Sequence, residues 1–426
     1  MARLSLCLPP FSPDYSGVSS VFFDLPAVVA IHDASGCTGN YTGYDEPRWY
    51  GASAAIFCSA LRDIDAVMGD DEKLIGRMIA ACRDLDPKLT ALVGSPVPMV
   101  VGSDMKGIAA ELEARTGLPC FGFDTTGTAY YDRGVSVALI ALLKRFAEPS
   151  PPVPNTVGIV GATPLDFADG TDIRDLQDAL LERGIEVTAT LAMGYDLEAL
   201  RRAATAHVNL AVSRAGFLVS KWMHRRFGTP YLCGLPMGAA SLEAYFRALG
   251  TMLKAELPEP RILKGESPSR PLSEHPKVLV IGEQVQANAI RCALGTEFGV
   301  RDIAVGCIFG MEPDLALPGD RDLRDEAEIR SAMNSGPSLV VGDPFLEPLL
   351  RDDSVKFIPF PLYAVSSHQS PVAPVRHIGG RFNESFSALL RRPGPYSDDC
   401  VGAAGTQPVP REISRASPDF RSRLEI

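Results

Sequence analysis

The chain lacks the marks of several large functional classes. Its start, MARLSLCLPPFSPDYSG, interrupts a very short apolar run with prolines, so neither a signal peptide nor a membrane span is expected there, and the cytoplasm is the expected compartment. The net charge is −11 and no basic stripe follows any predicted face. That sets aside nucleic acid and leaves a protein or a small molecule as the natural partner of an acidic surface. There is no P-loop. The dinucleotide fingerprint is missing too: VGIVG is followed by Ala162-Thr163-Pro164 and VLVIG by Glu283-Gln284, turns without three spaced glycines in which Pro164 and Glu283 suit a pyrophosphate poorly. A disulfide framework is equally absent. Nine cysteines are spread over 426 residues, and an odd count leaves at least one unpaired, so thiols or metal ligands fit better than bridges.

What remains is a globular composition, 46% hydrophobic and 22% charged, with length enough for two or three domains. Two proline-rich stretches, Glu148 to Pro154 and LPEPRILKGESPSRPLSEHPK from 257 to 277, are each followed by a strand-like run, VGIVG and KVLVIG. In the first unit AVVAI, LTALVG and PMVVG read as strands between helical stretches. The second offers VGIVG, IEVTATL and HVNLAVS, the third KVLVIG, DIAVGCI, SLVVGD and KFIPFP. This βαβ rhythm predicts an α/β protein of three Rossmann-like domains, each a parallel sheet flanked by helices. The first is expected over 1–150, with 375–400 returning to it, the second over 151–265 and the third over 275–374. Residues 401–426 lose apolar period and read as a flexible tail, and Cys400 beside it as a free surface thiol.

The stretch with most chemical content is AVVAIHDASGCTGNYTGYDEPRW, residues 27–49. A buried-strand run ends at His32-Asp33 and is followed at once by Gly36-Cys37, which puts a thiol past the carboxyl end of a parallel strand, where open α/β sheets bind ligands. Gly36 and Gly39 permit close approach of something bulky. The ordinary alternative is a small buried cysteine in a turn. The aromatic and charged run Tyr41 to Trp49 suits the mouth of such a site or a subunit interface, or else an ordinary surface loop.

This strand–His–Gly-Cys segment resembles the cluster-bearing segment of the nitrogenase component 1-like oxidoreductases. DIDAVMGDDEKL (63–74), SPVPMVVGSDMKGIAAELE (95–113) and RRFGTPYL (225–232) resemble later segments of that family in the same order. The family includes nitrogenase subunits, their cofactor-assembly relatives and the dark-operative protochlorophyllide reductase. The resemblance implies an iron–sulfur cluster, held as [4Fe–4S] between this chain and an identical or paralogous subunit. It also implies electrons from an ATP-dependent iron protein that carries the nucleotide, and a small-molecule substrate held where the domains meet.

Residue by residue, Cys37 matches the family's second cysteine. Cys7, in LCLPPFSPDYSG, can match the first, although the separation is longer than the family's, as if PDYS were inserted. The third position departs from the pattern, Ser95-Pro96 standing where the family has Cys-Pro, and a serine oxygen is a harder and weaker ligand than a thiolate. Two copies of Cys7 and Cys37 across a twofold axis supply four thiolates. Cys58 either compensates for Ser95 or is a core thiol. Asp33 enters because one protochlorophyllide reductase subunit uses an aspartate as cluster ligand at a different place. Cys82, Cys120, Cys292 and Cys307 read as core residues, and Cys233-Gly at a strand end has a modest claim on a pocket. His368 and His377 lie in a late segment similar to one that lines the family's active cavity. They read as ligand or proton donor there, or as structural residues, the structural role outweighing metal ligation.

Two functions follow from the resemblance, a reductase subunit and a non-catalytic scaffold or carrier for metal-cofactor assembly. A metal-free small-molecule binding protein is the third possibility that the three-unit pattern alone permits.

Overall fold

The computed structural model describes residues 5–48, 52–69, 71–255, 259–265, 277–367 and 376–391. His368, Cys400 and the tail 401–426 lie outside them.

Three parallel sheets follow one another along the chain. The first has β1 (Ala27–Ile31), β2 (Ala55–Cys58), β3 (Leu89–Val93) and β4 (Cys120–Phe123), in the order β2-β1-β3-β4. The second has β5 (Val153–Val160), β6 (Glu186–Leu191), β7 (Ala206–Ala211), β8 (Tyr231–Cys233) and β9 (Arg261–Ile262), in the order β6-β5-β7-β8-β9. The third has β10 (Val278–Gly282), β11 (Ile303–Cys307), β12 (Arg321–Asp322), β13 (Leu339–Gly342) and β14 (Lys356–Pro359), in the order β12-β11-β10-β13-β14. Every residue of β1, β3 and β10 is buried, as expected of central parallel strands covered by helices on both faces. In each sheet the first strand is an inner one, with connections that leave it in opposite directions. They open a crevice beyond the carboxyl ends of β1 and β3, of β5 and β7, and of β10 and β13.

Two expectations are corrected. PMVVG is not a strand: Pro96–Val101 is a short helix that starts after extended Ser95, with Pro96 in its first turn, and stops at Gly102, whose φ is 80°. Proline has no N–H to lose in a first turn and its fixed φ suits a helix, which outweighs the strand preference of the valines. The strands of that sheet are instead β2 and β4, short edge strands with only partly buried patterns. The segment expected to return to the first unit over 375–400 packs, in its described part, on the other two. Arg376 and Arg381 pair with Asp175, Gly238 N donates to Gly379 O, and helix Gly380–Arg391 meets helix Ala239–Lys254 and, through Phe386, Phe298. The segment docks through charge pairs to helix Thr171–Leu181 together with burial of Phe382 and Phe386.

Helices Asp14–Phe22 and Tyr131–Phe146 cross with almost no side chain between them. A methyl on Gly17 would lie 2.0 Å from the carbonyl oxygen of Tyr131, and one on Gly134 would lie 1.9 Å from that of Asp14. This crossing fixes Tyr15 at one end of the molecule's first crevice and Tyr131 at the entry to the others.

Candidate functional site

β1 runs out at Ile31, and the next residues build the site. His32 N donates to Val93 O, prolonging the β1–β3 pairing by one step, while its Nδ1 lies 2.9 Å from Ser59 Oγ just past β2. Burial holds the His32 imidazole below its ordinary pKa, against the pull of nearby Asp71 and Asp33. Asp33 then acts as a cap: its Oδ2 accepts from the backbone N–H groups of Ser35 (2.9 Å), Cys37 (2.8 Å) and Thr38 (3.2 Å), satisfying the first turn of the helix Gly36–Asn40. The turn is tight enough to hold Ser35 at φ 146°, a conformation an L-residue rarely adopts.

Cys37 is thereby presented at the rim of the β1–β3 crevice, half-buried. Its thiol lies beside the hydroxyls of Tyr15 and Ser95 and beside Asp33. Burial and the Asp33 charge push the thiol pKa up, and the two hydroxyl hydrogen bonds only partly offset this. The Tyr15 phenol is likewise pushed up, by burial first and then by Cys37. A thiol in this setting keeps its proton in water and would release it to solvent only when a cation takes its place on the sulfur. Ser95, wholly buried after β3, has its Oγ 2.9 Å from His32 O and also beside the Cys37 thiol, so its one hydroxyl hydrogen serves one acceptor or the other. Cys58, at the end of β2, has its Sγ 3.3 Å from Asp33 O. The ends of three adjacent strands thus set Cys37 beside Ser95 and Asp33, and Cys58 against the backbone of Asp33.

Cys7 is held elsewhere. Glu326 Oε2 accepts from the N–H groups of Leu6, Cys7 and Leu8, and the exposed Cys7 Sγ lies 3.6 Å from Arg330 Nη2. His377 shares no described contact with the thiol site. Its N and Nδ1 both meet Asp172 at 2.7 Å, and its ring leans on Phe360 with centroids 4.6 Å apart. Cys233 and Cys307 are buried at the ends of β8 and β11. Among the described residues no three His, Cys, Asp or Glu side chains gather as a metal site.

The surroundings of Cys37 open outward. A methyl at Gly36, Gly39 or Gly43 would meet nothing within 4 Å, and none of the three has a positive φ, so nothing inside the chain requires glycine there. Beyond the same strand ends, helices Asp63–Met68 and Pro96–Val101 touch one another and expose Ile64, Val67, Met68, Met99 and Val100, the last of these 78% exposed. The run after Cys37, in contrast, turns its charges inward and is no ordinary surface loop. Asp45 accepts from Ser12 and Ser16, Tyr41 is fully buried with its hydroxyl on Glu46, and Arg48 pairs with Asp24 and Glu46. Among the described side chains of this run, Tyr44 alone is markedly exposed.

The second and third crevices are closed against each other. Glu283 caps helix Gln284–Phe298 by accepting from Gln286 N at 2.9 Å and also accepts from Arg214 N, the first residue of helix Arg214–Phe227, at 2.6 Å. Arg214 reaches Asp132 and Glu312, and the Tyr131 hydroxyl donates to Asp166. Tyr15, Tyr131 and Asp166 carry no sequence signal of their own. Glu283 carried one, as a residue wrong for a phosphate, and its carboxylate occupies the place at two helix N-termini where a phosphate would sit.

Against this geometry, the sequence profile of the nitrogenase component 1 type oxidoreductases matches residues 14–346. One subunit of the light-independent protochlorophyllide reductase of Heliobacterium modesticaldum is 31% identical over 123 residues, covering 29% of this chain and 24% of that protein. The nitrogenase iron-molybdenum cofactor biosynthesis protein NifE of Klebsiella pneumoniae is 23% identical over 247 residues, covering 52% of each. The chain thus spans from about a quarter to about half the length of these relatives. A solved nitrogenase structure, Cp1 at pH 6.5, superposes with a TM-score of 0.65 over 92% of this chain and 94% of that one, at 14% identity, which speaks to the fold.

Proposed function

The chain belongs to the nitrogenase component 1 type oxidoreductases, and from that premise we propose that it is a redox subunit. In this reading it holds an iron–sulfur cluster at Cys37 together with a second, identical or paralogous subunit, takes electrons from an ATP-dependent iron protein and reduces a small molecule.

The observation that carries this reading is the half-buried thiol of Cys37 at the rim of the β1–β3 crevice, beside glycines with open space around them. The residues fit such a group. Cys37 and Cys58 are soft donors, Ser95 Oγ lies beside Cys37, and the Asp33 carboxylate is engaged by three N–H groups and so acts as a cap rather than a ligand. Among the described residues no set of four thiolates gathers at Cys37, and the exposed apolar residues of helices Asp63–Met68 and Pro96–Val101 suit a subunit that supplies the remainder. When bound, the cluster would supply one-electron transfer. The chain's own part is to seat it, to keep it dry through Tyr15 and Ser95, and to receive the partner. No helix among the described residues is long and apolar enough to cross a membrane.

A scaffold or carrier of a metal cofactor is the second reading, favoured by the match to NifE and by a serine at the third ligand position. Anaerobic purification with iron and sulfide analysis and EPR, with and without an iron protein and ATP, separates the two. A reducible chromophore that turns over supports the reductase, one that does not supports the carrier, and iron-free protein removes both.

A further inference from the structure

The crevices of the second and third sheets, where open α/β sheets take ligands, meet at a knot of carboxyl groups drawn from all three units. Helix Pro164–Phe167 brings Asp166, helix Tyr131–Phe146 brings Tyr131 and Asp132, helix Arg214–Phe227 brings Arg214, and the third unit brings Glu283 and Glu312. Cys233 and Cys307, at the ends of β8 and β11, face Glu283 as neutral thiols. The one cation in this described group is Arg214, already divided between Asp132 and Glu312. Asp166 Oδ1 accepts from the Tyr131 hydroxyl, while Oδ2 is sealed from solvent with no hydrogen-bond partner among the described residues. Asp132 and Glu283 are buried to 2% and 1% exposure. Four carboxylates around one arginine in such a place carry more negative charge than the site can neutralise, and an ionised oxygen with no donor is costly.

We infer that this junction is a proton-held latch: a proton carried by Asp166 and Glu283 keeps the helices of the three units seated on one another, and its loss loosens them. The inference concerns these acids alone and does not rest on the cluster at Cys37. Electrostatics agree with the geometry. Burial and mutual repulsion raise Asp166 well above the ordinary carboxylate range, and burial pushes Glu283 up to about 7. Opening the junction returns both acids to water, where they ionise at ordinary pH. Opening therefore releases protons, and its equilibrium constant rises with pH by about tenfold per unit for each proton released, levelling off once the acids are ionised in the closed state.

The test is hydrogen exchange on the full chain between pH 5 and 9, corrected for intrinsic exchange rates, comparing wild type with Asp166→Asn and Glu283→Gln. In wild type, amides of helices Tyr131–Phe146 and Arg214–Phe227 are expected to open tenfold or more as the pH rises, with no such trend in helix Asp71–Leu85. Asp166→Asn, which keeps an acceptor for Tyr131 and carries no charge, is expected to flatten the rise. A flat wild-type profile, or a rise that Asp166→Asn leaves intact, overturns the latch. Should neither variant fold, the regional contrast in wild type decides alone: a rise confined to the junction supports the latch, and a uniform or absent rise refutes it.

Discussion

The crevice of the first sheet and those of the second and third share one strand order at their centres and end in opposite states. At β1 and β3 the chain places a half-buried thiol backed by two buried hydroxyls, beside three glycines with nothing of its own against them, and it surrounds these with exposed valine, isoleucine and methionine. At β5–β7 and β10–β13 it fills the same topological position with Asp166, Arg214 and Glu283 and closes it from within. Topology selects where a parallel sheet can receive a partner, and the residues just past each strand decide whether that partner is foreign or part of the chain.

Cys37→Ala is the strongest way to break this contrast. It should abolish cluster-bound iron and its EPR signal while leaving thermal unfolding of the metal-free protein nearly unchanged, because a half-buried thiol adds little to packing. Cys292→Ala should leave the iron content untouched. Gly17→Val tests the seam between the two regions. The added side chain meets the Tyr131 carbonyl at a distance that no rotamer relieves, so urea unfolding should show a loss of about 3 kcal/mol.

The pH responses of the two regions should carry opposite signs. His32 has a lowered folded pKa, so the unfolded chain takes up a proton at about 6.5 that the folded chain refuses. His32 therefore disfavours folding as the pH falls below 6.5. Glu283 has a raised folded pKa, so the stability it contributes is fully present below its ordinary 4.5 and is lost as the pH rises toward about 7. Region-resolved exchange should thus show the first rim loosening on mild acidification while the junction tightens, and His32→Gln should remove only the former. The smallest effect on the isolated chain is expected from Gly39→Ala. Its methyl meets nothing and replaces a glycine within a helix, so denaturation should show a gain of about 0.5 kcal/mol, whereas subunit association and iron retention should fall.

Much of this was legible in the sequence. The continuous apolar runs AVVAI, LTALV and VLVIG announce central parallel strands, and the turn chemistry of His32 to Cys37 announces a strand end with a thiol beyond it. What the periodicity could not give were elements decided by position rather than pattern. Pro96 turned a valine-rich run into a helix, and the edge strands β2 and β4 bury too little to leave an alternating or continuous signature. The neighbours of Cys37 were half visible. Ser95 and Cys58 stood out as a departure from and an addition to the family's ligands, but Tyr15 reaches the site only because two glycines let its helix lie against Tyr131. The inward charges of Asp45, Glu46 and Arg48 were hidden for the same reason, since burial of a charge depends on a partner that sequence does not bring near.

The carboxylate of Glu283 has one more consequence. Helix N-termini in open sheets commonly borrow an anion from a nucleotide, and the fold is then complete only while that guest is present. Here two helices share a carboxyl acceptor that is covalently their own, so this end of the molecule needs no visitor to be whole. Selection can change what docks at Cys37 without disturbing the keystone on which the other two sheets rest.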